Sequence, residues 1–263
     1  MAEIREFSTG CCSHPEFIAL KNGKLRVRKF PAKVWLICLQ NKKWLFDTGY
    51  SAHFIKATDR GWGWLYRKVT PVSYSLGDSI AEQLAAEGIT IDGVILSHFH
   101  GDHIGGLKDF NIPVVCSSDG WSDVRKLKKF AALRKAFVPE LIPDRFQDRL
   151  IFMENLRPTT LAPELFPFEK GYELPGSEGA LMLVRLPGHA VGHIGAFVHT
   201  DNGWVLLAAD AAWSAQSYRD NLKPTFIASR FMASHRDYMD TINKLHTLWK
   251  NKAVEIKLCH DGE

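Results

Sequence analysis

The chain has 263 residues, of which 46% are apolar and 24% charged, and its formal net charge at pH 7 is +4. This composition places it among soluble globular proteins, and its length allows a sizeable core, which we expect to form a single domain over residues 1–263. No apolar run approaches the length of a membrane span, and the small positive excess predicts no nucleic-acid partner.

The N-terminal residues and the cysteines bear on the compartment. Residues 1–6 are charged and contain no hydrophobic segment, so no secretory signal is visible. The cysteines are odd in number and scattered: Cys11, Cys12, Cys38, Cys116 and Cys259. Because this pattern does not predict a disulfide framework, a reducing cytoplasm is the simplest compartment.

The first predicted secondary structure lies in residues 25–49. They predict three successive strands, over residues 25–30, 34–39 and 44–46, with a turn between the last two. The last of these strands leads into the tripeptide Asp47-Thr48-Gly49.

Residues 50–75 are dense in aromatic side chains and interrupted by glycines and Pro71. The aromatic residues are Phe54, Trp62, Trp64, Tyr66 and Tyr74. We expect a loop that either forms one wall of a substrate pocket or folds over the core. Residues 79–87 then have the apolar spacing of a helix, which Gly88 ends.

The next strand leads into a cluster of potential metal ligands. Residues 93–97 form a short aliphatic run, directly followed by His98, His100, Asp102 and His103. In extended backbone, side chains two residues apart point the same way, so His98 and His100 can reach one metal ion. Gly101 lets the chain turn, so that Asp102 and His103 can reach a second position. Imidazole and carboxylate donors suit a divalent ion, zinc above all, with iron or manganese as alternatives.

This stretch resembles a known metal-binding motif. His98-Phe99-His100-Gly101-Asp102-His103 matches the His-X-His-X-Asp-His pattern of the metallo-β-lactamase superfamily. The resemblance implies that family's α/β fold, a four-layer αβ/βα sandwich of two mixed β-sheets with helices outside. It also implies that Asp47-Thr48-Gly49 supports the metal loop, where the carboxylate could orient an imidazole through its free N–H. A simple turn explains the tripeptide equally well.

The chain beyond the motif predicts a strand, a helix and an irregular segment. Residues 113–116 read as the strand, and residues 118–137 as a helix capped by Ser118 or Asp119. The locally basic run 125–129 is typical of a solvated helix face. Residues 138–172 are poorly periodic and rich in proline and phenylalanine, so we expect an insertion or cap near the active site that selects substrate.

The resemblance implies further ligands at the ends of later strands, and three candidates occur in the right order. An aliphatic strand from residue 181 ends in Pro187-Gly188-His189, another ends in Asp210, and a third ends in Cys259-His260. Cys259 should face away from His260 and be a packed thiol, because adjacent strand residues point in opposite directions. Residues 230–250 predict a long helix with Phe231 among its core contacts.

The implied site holds two divalent ions through seven side chains. The first ion takes His98, His100, His189 and a share of Asp210; the second takes Asp102, His103, His260 and the other share. A hydroxide bridging two such ions would attack an acyl carbonyl, and the resemblance suggests that Asp102 also guides the proton to the leaving group. With both ligand sets filled, His193 is expected to hydrogen-bond near the ligands.

Three features point to one branch of the superfamily. A bridging Asp210 is unlike the true β-lactamases, and no helical glutathione-binding region of the glyoxalase II kind follows His260. The ligand order, with the predicted helix 230–250 before the last ligand, is most similar to the N-acyl homoserine lactonases. In those enzymes a tyrosine stands three residues past the bridging aspartate, where this chain has Trp213; Tyr218 lies nearby and could substitute only if the loop folds back. We therefore expect a small-molecule substrate, a lactone or related ester; the tryptophan argues against homoserine lactone itself and leaves a lactone or ester of different shape open.

Other functions stay open at this point. A thioesterase or a phosphodiesterase would use the same ions, and the second would want positive charge near the site. Such charge could come from Arg125, Lys126, Lys128, Lys129, Arg134 and Lys135. A β-lactamase and a non-catalytic metal-binding effector are further alternatives, and the oligomeric state is not predicted.

Overall fold

Two β-sheets form the centre of the molecule. A computed structural model describes residues 1–19 and 23–262. Its strands are β1 (Glu3–Pro15), β2 (Val27–Cys38), β3 (Lys43–Phe46), β4 (Val72–Ser73), β5 (Gly93–Ile95), β6 (Val114–Cys116), β7 (Leu150–Phe152), β8 (Arg157–Thr160), β9 (Lys170–Glu173), β10 (Leu181–Arg185), β11 (Ile194–Thr200), β12 (Gly203–Ala209) and β13 (Val254–Leu258). The first sheet has the order β4-β1-β2-β3-β5-β6-β7 and the second β13-β12-β11-β10-β9-β8.

Helices flank these sheets. The α-helices are α1 (Glu16–Ala19), α2 (Ala52–Ala57), α3 (Gly61–Val69), α4 (Ile80–Ala86), α5 (Gly101–Ile104), α6 (Ser118–Val124), α7 (Lys129–Leu133), α8 (Ala215–Arg219), α9 (Phe226–Ser229) and α10 (His235–Asn251). Short 3-10 helices cover Leu107–Asp109, Pro139–Leu141, Phe146–Arg149, Met153–Asn155 and Pro163–Leu165. Over the described residues, none of the helices combines the length and apolar character needed to span a bilayer.

Three apolar clusters hold the layers together. Because successive strand residues face opposite sides, Leu36 of β2 packs outward against the helices, while Ile37 packs inward with Phe46 and Leu207. The outer face of the second sheet packs against Leu245 and other residues of α10. Each fully buried leucine or isoleucine contributes roughly 1.5–3 kcal/mol to this packing. The predicted sandwich of two mixed sheets with helices outside is confirmed.

Both sheets contain parallel pairs, which fixes where the functional loops lie. Strands β3, β5, β6 and β7 run parallel, as do β12 and β13. The carboxyl ends of parallel neighbours lie at one edge of their sheet. The loops after β5, β12 and β13 are the ones in which the sequence predicted metal ligands.

The predicted helix 118–137 is wrong in its length, because the structure divides it into α6 and α7. The break falls in the basic run, where Arg125 would stand one turn from Lys128 and Lys129 in a continuous helix. Like charges at that spacing are unfavourable. Helix α6 instead ends at Val124, and Lys129, the first residue of α7, adopts a positive φ of 53°, which a continuous right-handed helix does not allow.

The loop expected over residues 50–75 contains two helices, so that prediction is also wrong. Ser51 begins α2 by accepting a hydrogen bond from the backbone N–H of His53. Phe54 and Tyr66 are buried in the outer core, whereas Trp62 and Trp64 are about half exposed. The aromatic residues therefore divide between core and surface, and no single loop folds over the core.

Residues 138–172, the predicted insertion or cap, contribute strands to both sheets. Strand β7 pairs with β6 at the edge of the first sheet, and β9 pairs with both β8 and β10 in the second. The short 3-10 helices lie between these strands. That the rest of the segment selects substrate stays a prediction.

The helices predicted over 79–87 and 230–250 are confirmed with shifted boundaries. Ser79 accepts a hydrogen bond from the N–H of Glu82 and donates one to its carboxylate, which forms a capping box for α4. Ser234 caps α10 in the same way through the N–H of Asp237. Phe231 therefore precedes the helix and is 64% exposed, so its prediction as a core contact is wrong.

Candidate metal centre

The seven predicted ligands lie together where strands of both sheets end. The motif 98–103 follows β5 of the first sheet, and the other three residues follow strands of the second sheet. His189 comes after β10, Asp210 directly after β12, and His260 two residues after β13. All seven are buried except His100, which is partly exposed.

A first group consists of His98, His100, His189 and Asp210, whose donor atoms all lie within 4.8 Å of one another. His189 Nε2 lies 3.0 Å from His100 Nδ1 and 3.3 Å from Asp210 Oδ2. His98 Nε2 is buried without a hydrogen-bond partner among the described residues. Three ring nitrogens and one carboxylate oxygen thus converge on one point.

A second group lies on the other side of Asp210. His260 Nε2 lies 3.2 Å from Asp102 Oδ2 and 3.2 Å from Asp210 Oδ2. His103 Nε2 lies 3.4 Å from Asp210 Oδ1 and 3.7 Å from Asp102 Oδ2. Asp210 is therefore shared by both groups: its Oδ2 lies near His189 of the first group and His260 of the second, and its Oδ1 lies near His103 of the second.

Cys259 also comes near the second group, within the 4.8 Å that contains the donor atoms of His103, Asp210 and His260. Its thiol donates a hydrogen bond to the carbonyl of Lys33 at 3.4 Å, and the residue is 1% exposed. The thiol is packed, as expected. The expectation that it faces away from His260 is wrong, because β13 ends at Leu258 and the alternation of a strand does not extend to residues 259 and 260.

Asp47 fixes the orientation of two imidazoles. Its Oδ2 accepts hydrogen bonds from His103 Nδ1 at 2.8 Å and from Ser97 Oγ at 2.7 Å, while its Oδ1 accepts one from the N–H of Ser97. Since the Ser97 hydroxyl donates to Asp47, it can accept from His98 Nδ1 at 3.0 Å. In both His98 and His103 the Nδ1 atom is hydrogen-bonded, which leaves Nε2 free to face the site. The sequence allowed Asp47 to be either an orienting carboxylate or part of a simple turn, and the structure shows the orienting contact.

His260 is oriented by a backbone carbonyl. Its Nδ1 donates to the carbonyl of Pro31 in β2 at 2.7 Å, which directs Nε2 towards the two aspartates. Sequence reasoning missed this contact, because a backbone acceptor leaves no residue-type signal. It also missed Ser97, whose only signal is its position between the strand and His98.

The loop that carries His189 is held against α10. The carbonyl of Gly188 accepts from the N–H of Ser234, and the carbonyl of His189 accepts from the N–H of Ala233. Gly188 has a φ of 124°, and a Cβ atom there would stand 2.2 Å from the backbone N of Tyr238. Only glycine fits this approach without moving the loop or the helix.

Burial keeps the imidazoles of the first group neutral. It lowers the pKa of His100 to about 4 and those of His98 and His189 well below their ordinary value of 6.5. Neutral rings at pH 7 have the free lone pair that a metal ion requires.

The second group has the opposite electrostatics. Burial lowers the pKa values of His103 and His260, but the nearby carboxylates, Asp210 foremost, outweigh it and raise both well above 6.5. In turn, the two imidazoles overcome the effect of burial on Asp102 and lower its pKa to about 2, and they hold that of Asp210 well below its usual range. Two buried carboxylates here require positive charge between them, which protons or a cation can supply.

The side chains therefore fit two divalent ions. Buried atoms without partners in the described structure include His98 Nε2, His103 Nε2 and Asp210 Oδ1, all of which face the two groups. Buried polar atoms without partners are rare in proteins unless a ligand or an ion satisfies them. Nitrogen and carboxylate donors in these numbers suit zinc, and iron or manganese as alternatives.

Three further residues that the sequence analysis named, His193, Trp213 and Tyr218, have different environments near the two groups. His193 is buried, and its Nε2 accepts a hydrogen bond from the N–H of Asp210 at 3.3 Å, as expected of a residue that supports the ligands. Trp213 packs edge-on against His189, with 5.9 Å between ring centroids. Tyr218 is 2% exposed and belongs to the apolar cluster that contains residues of α10. Trp213 thus packs against a proposed ligand, whereas Tyr218 packs in the core.

A cavity of about 350 Å³ opens onto His100 and His189. Next to the two imidazoles its wall is apolar, with Phe99, Ala190, Val191 and Ala233. Phe231, which the sequence had assigned to the core, also lines this cavity.

Comparison with known proteins gives one family and several similar folds. The family model described as the metallo-beta-lactamase superfamily matches residues 27–248. An N-acyl homoserine lactone hydrolase with N-hexanoyl-L-homoserine bound at its catalytic metal center is 18% identical, with a TM-score of 0.72 over 98% of this chain and 92% of the other. A variant of AiiA from B. thuringiensis with N-decanoyl-L-homoserine bound at its active site is 19% identical, with the same TM-score and coverage. AidC, a dizinc quorum-quenching lactonase, is 14% identical, with a TM-score of 0.66 over 99% of this chain and 87% of the other. At these identities the likeness concerns the fold.

Proposed function

The chain belongs to the metallo-beta-lactamase superfamily and is a metal-dependent hydrolase, and from this premise we propose that it opens a lactone or cleaves a related carboxylic ester with two divalent ions, zinc being the metal that the donor set suits best. The residues proposed to hold the first ion are His98, His100, His189 and Asp210. Those proposed for the second are Asp102, His103, His260 and Asp210.

One observation carries this proposal, namely the position of Asp210 between the two groups. Its Oδ2 lies 3.3 Å from His189 Nε2 in the first group, and its Oδ1 lies 3.4 Å from His103 Nε2 in the second. A single carboxylate can bridge two ions only from such a position. When bound, two ions so placed lower the pKa of a water molecule from about 15.7 towards about 7 and polarise the scissile carbonyl.

The protein's own residues orient, position and transfer protons in this scheme. Asp47 and the carbonyl of Pro31 fix the rings of His103 and His260, and His193 holds the backbone N–H of Asp210. We assign to Asp102 the transfer of the proton from the attacking water to the leaving alkoxide oxygen. In support, its Oδ2 lies 3.2 Å from His260 Nε2 in the second group, and its side chain retains 10% exposure.

An uncharged acyl centre fits the surroundings better than a phosphodiester. Of the basic residues between 125 and 135, only Arg134 and Lys135 line the cavity that opens onto His100. Lys135 is already bonded to both oxygens of Asp123 at 2.6 Å. Next to the imidazoles the described wall is apolar, and Arg134 and Arg230, which are unpaired among the described residues, line the exposed part of the cavity, away from the position where a phosphoryl group would react.

Trp213 bears on the shape of the substrate. It places an indole ring against His189, where a tyrosine would offer a hydroxyl to a lactone carbonyl. All three of the similar structures described above carry N-acyl homoserines, which supports a lactone as the class. The different side chain at this position supports a ring or an alcohol group other than homoserine lactone.

The test is metal content combined with a substrate panel. Elemental analysis should give two equivalents of metal per chain, and the loaded protein should hydrolyse lactones or esters faster than phosphodiesters and β-lactams. Thioesters belong in the panel, because an acyl carbonyl next to sulfur can react at the same centre. Hydrolysis of phosphodiesters alone, or one equivalent of metal, would overturn the proposal.

We also propose that the protein functions in a reducing compartment such as the cytoplasm, and the state of its cysteines supports this. All five are free thiols, including the neighbouring pair Cys11 and Cys12. Oxidising compartments favour disulfides instead.

A further inference from the structure

The cavity over His100 and His189 leads from a buried floor to a charged rim, and we call it the imidazole cavity. At its floor His189 is 4% exposed. Its rim includes Arg134 at the end of α7 and Arg230 between α9 and α10, both of which are exposed. A molecule that reacts at the floor would therefore extend past these two arginines.

The wall between floor and rim suits an alkyl chain. It includes Phe99, Val124, Leu127, Val191 and Phe231. Phe231 is 64% exposed although it is large and apolar. A chain lying in the cavity would cover this ring and bury apolar surface on both sides, which favours binding.

The charges at the rim do not cancel. Four charged residues line the cavity in addition to its histidines: Asp123, Arg134, Lys135 and Arg230. Asp123 and Lys135 neutralise each other through contacts of 2.6 Å. Within residues 1–19 and 23–262, neither arginine forms an ion pair, so two positive charges stay uncompensated. The planar guanidinium group pairs well with carboxylate and phosphate oxygens.

We propose that the substrate is an amphipathic lactone or ester whose apolar chain fills the imidazole cavity and ends in an oxyanion, a carboxylate or a phosphate, held by Arg134 and Arg230. This inference rests on the proposed function, since it places the scissile bond at the floor. The acyl groups named for the similar structures, hexanoyl and decanoyl, carry no such charge. Hydrolysis itself is unchanged: the acyl C–O bond breaks, the acyl carbon takes the water's OH and the leaving oxygen its proton, so the product keeps the distal oxyanion.

The experiment compares four γ-lactones with the same six-carbon side chain. The side chain ends in a methyl group, a methyl ester, a carboxylate or a phosphate, and kcat/KM is measured for each with the metal-loaded protein. An oxyanion that gains charge-assisted hydrogen bonds should raise kcat/KM roughly tenfold to a hundredfold over the methyl end, mainly through KM. Comparison of kcat/KM for the carboxylate-ended and the phosphate-ended lactone shows which of the two oxyanions the arginines prefer. The preference should shrink at high salt, because exposed charges are screened.

Variants identify the residues responsible. The double variant Arg134→Gln with Arg230→Gln should bring the ratio between charged and methyl-ended lactones close to one. Arg125→Gln is the matched control, since Arg125 is an exposed arginine in the same part of the chain that does not line the cavity. It should leave the ratio at the wild-type value.

Two results would overturn the inference: equal kcat/KM for methyl-ended and charged lactones, or an unchanged ratio in the double variant. If neither lactones nor carboxylic esters are hydrolysed, the proposed function fails, and binding then decides the inference separately. Calorimetric titration of the ring-opened product with a carboxylate end should show binding that the double variant loses. Absence of binding to the wild-type protein would overturn the inference as well.

Discussion

The Nδ1 atom of His103 lies 2.8 Å from Oδ2 of Asp47, and both side chains are fully buried. Asp47 also receives both the N–H and the hydroxyl of Ser97. One carboxylate outside the ligand sets thus determines how two of the proposed ligands, His98 and His103, present their Nε2 atoms.

Replacement of Asp47 by asparagine should weaken metal binding without unfolding the protein. Asparagine tolerates the positive φ of 64° at this position, but an amide cannot accept all three hydrogen bonds that the carboxylate accepts. Affinity for the second ion should fall roughly tenfold to a hundredfold, as is usual when such a partner of a ligand is lost. Competition with a chromophoric chelator measures the change.

The matched control for this variant is Asp109→Asn. Asp109 forms a carboxylate–imidazole pair with His53, also at 2.8 Å, outside the seven proposed ligands. It should leave both affinities intact. Wild-type affinity in Asp47→Asn itself would show that the carboxylate does not orient His103 for binding.

Asp210→Asn should weaken both ions together. An amide has one oxygen in place of two and no charge, so it cannot bridge two cations in the same way. Elemental analysis after dialysis at limiting free metal should show a parallel loss of both equivalents. His260→Ala is the comparison, because it removes a proposed ligand of the second ion only; selective loss of one ion in Asp210→Asn would exclude a bridging role.

Gly188→Ala should destabilise the protein and displace His189. The new methyl group meets the backbone of Tyr238, whereas at Gly203, where φ is 109°, a Cβ meets nothing within 4 Å. Gly203→Ala therefore carries the strain of a positive φ without the clash. Gly188→Ala should cost about 1–3 kcal/mol more than Gly203→Ala in chemical denaturation. Equal losses of unfolding free energy in the two variants would mean that a methyl group at residue 188 does not clash with the backbone of Tyr238 in α10.

Glu154→Gln should reduce stability at neutral pH. Glu154 accepts from Ser117 Oγ and the N–H of Ser118 after β6, and it pairs with Arg185 at the end of β10. Its side chain, 19% exposed, thus joins the two sheets. Loss of the charge should cost about 1–3 kcal/mol in denaturant-induced unfolding, whereas the exposed Glu164→Gln should have almost no effect.

The effect of Glu154→Gln should depend on pH. Burial raises the pKa of Glu154, but the hydrogen bonds from Ser118 and Ser117 and the charge of Arg185 outweigh it and hold the pKa below the ordinary 4.5. A lowered carboxyl pKa contributes stability that is present above the unfolded value and is lost as the pH falls through the folded value. The difference between the two proteins should therefore be constant from neutral pH down to about 5 and shrink below about 4.5; a difference that grows on acidification would contradict the assignment.

The proposed ligands could be predicted because their chemistry depends on residue type and on strand ends. His98, His100, Asp102 and His103 form a local pattern, and His189, Asp210 and His260 each follow a strong aliphatic strand. What holds them was harder to find. Pro31 acts through its carbonyl, and Asp47 through a contact 56 residues along the chain, for which the sequence alone offered two interpretations.

The fold was predictable in its class and less so in its elements. Strand β1 was not predicted; it bulges between Ser8 and Cys11, which interrupts the alternation that marks a strand. Residues 50–75 were assigned to a loop because glycines normally interrupt helices, yet Gly61, at a φ of 61°, begins α3. Tertiary packing of Phe54 and Tyr66 outweighed these local signals.

The donor atoms come from both sheets, and the segments that carry them are separated by 86 residues between His103 and His189 and by 50 between Asp210 and His260. Each of the two proposed ions would have ligands from both sheets and would therefore link the two halves of the sandwich. The coordination sphere is complete only after residue 260 has left the ribosome and both sheets have docked. Loading with metal would thus follow the synthesis of residue 260 and the docking of the two sheets, and chelators added before that event should have far more effect than chelators added after it.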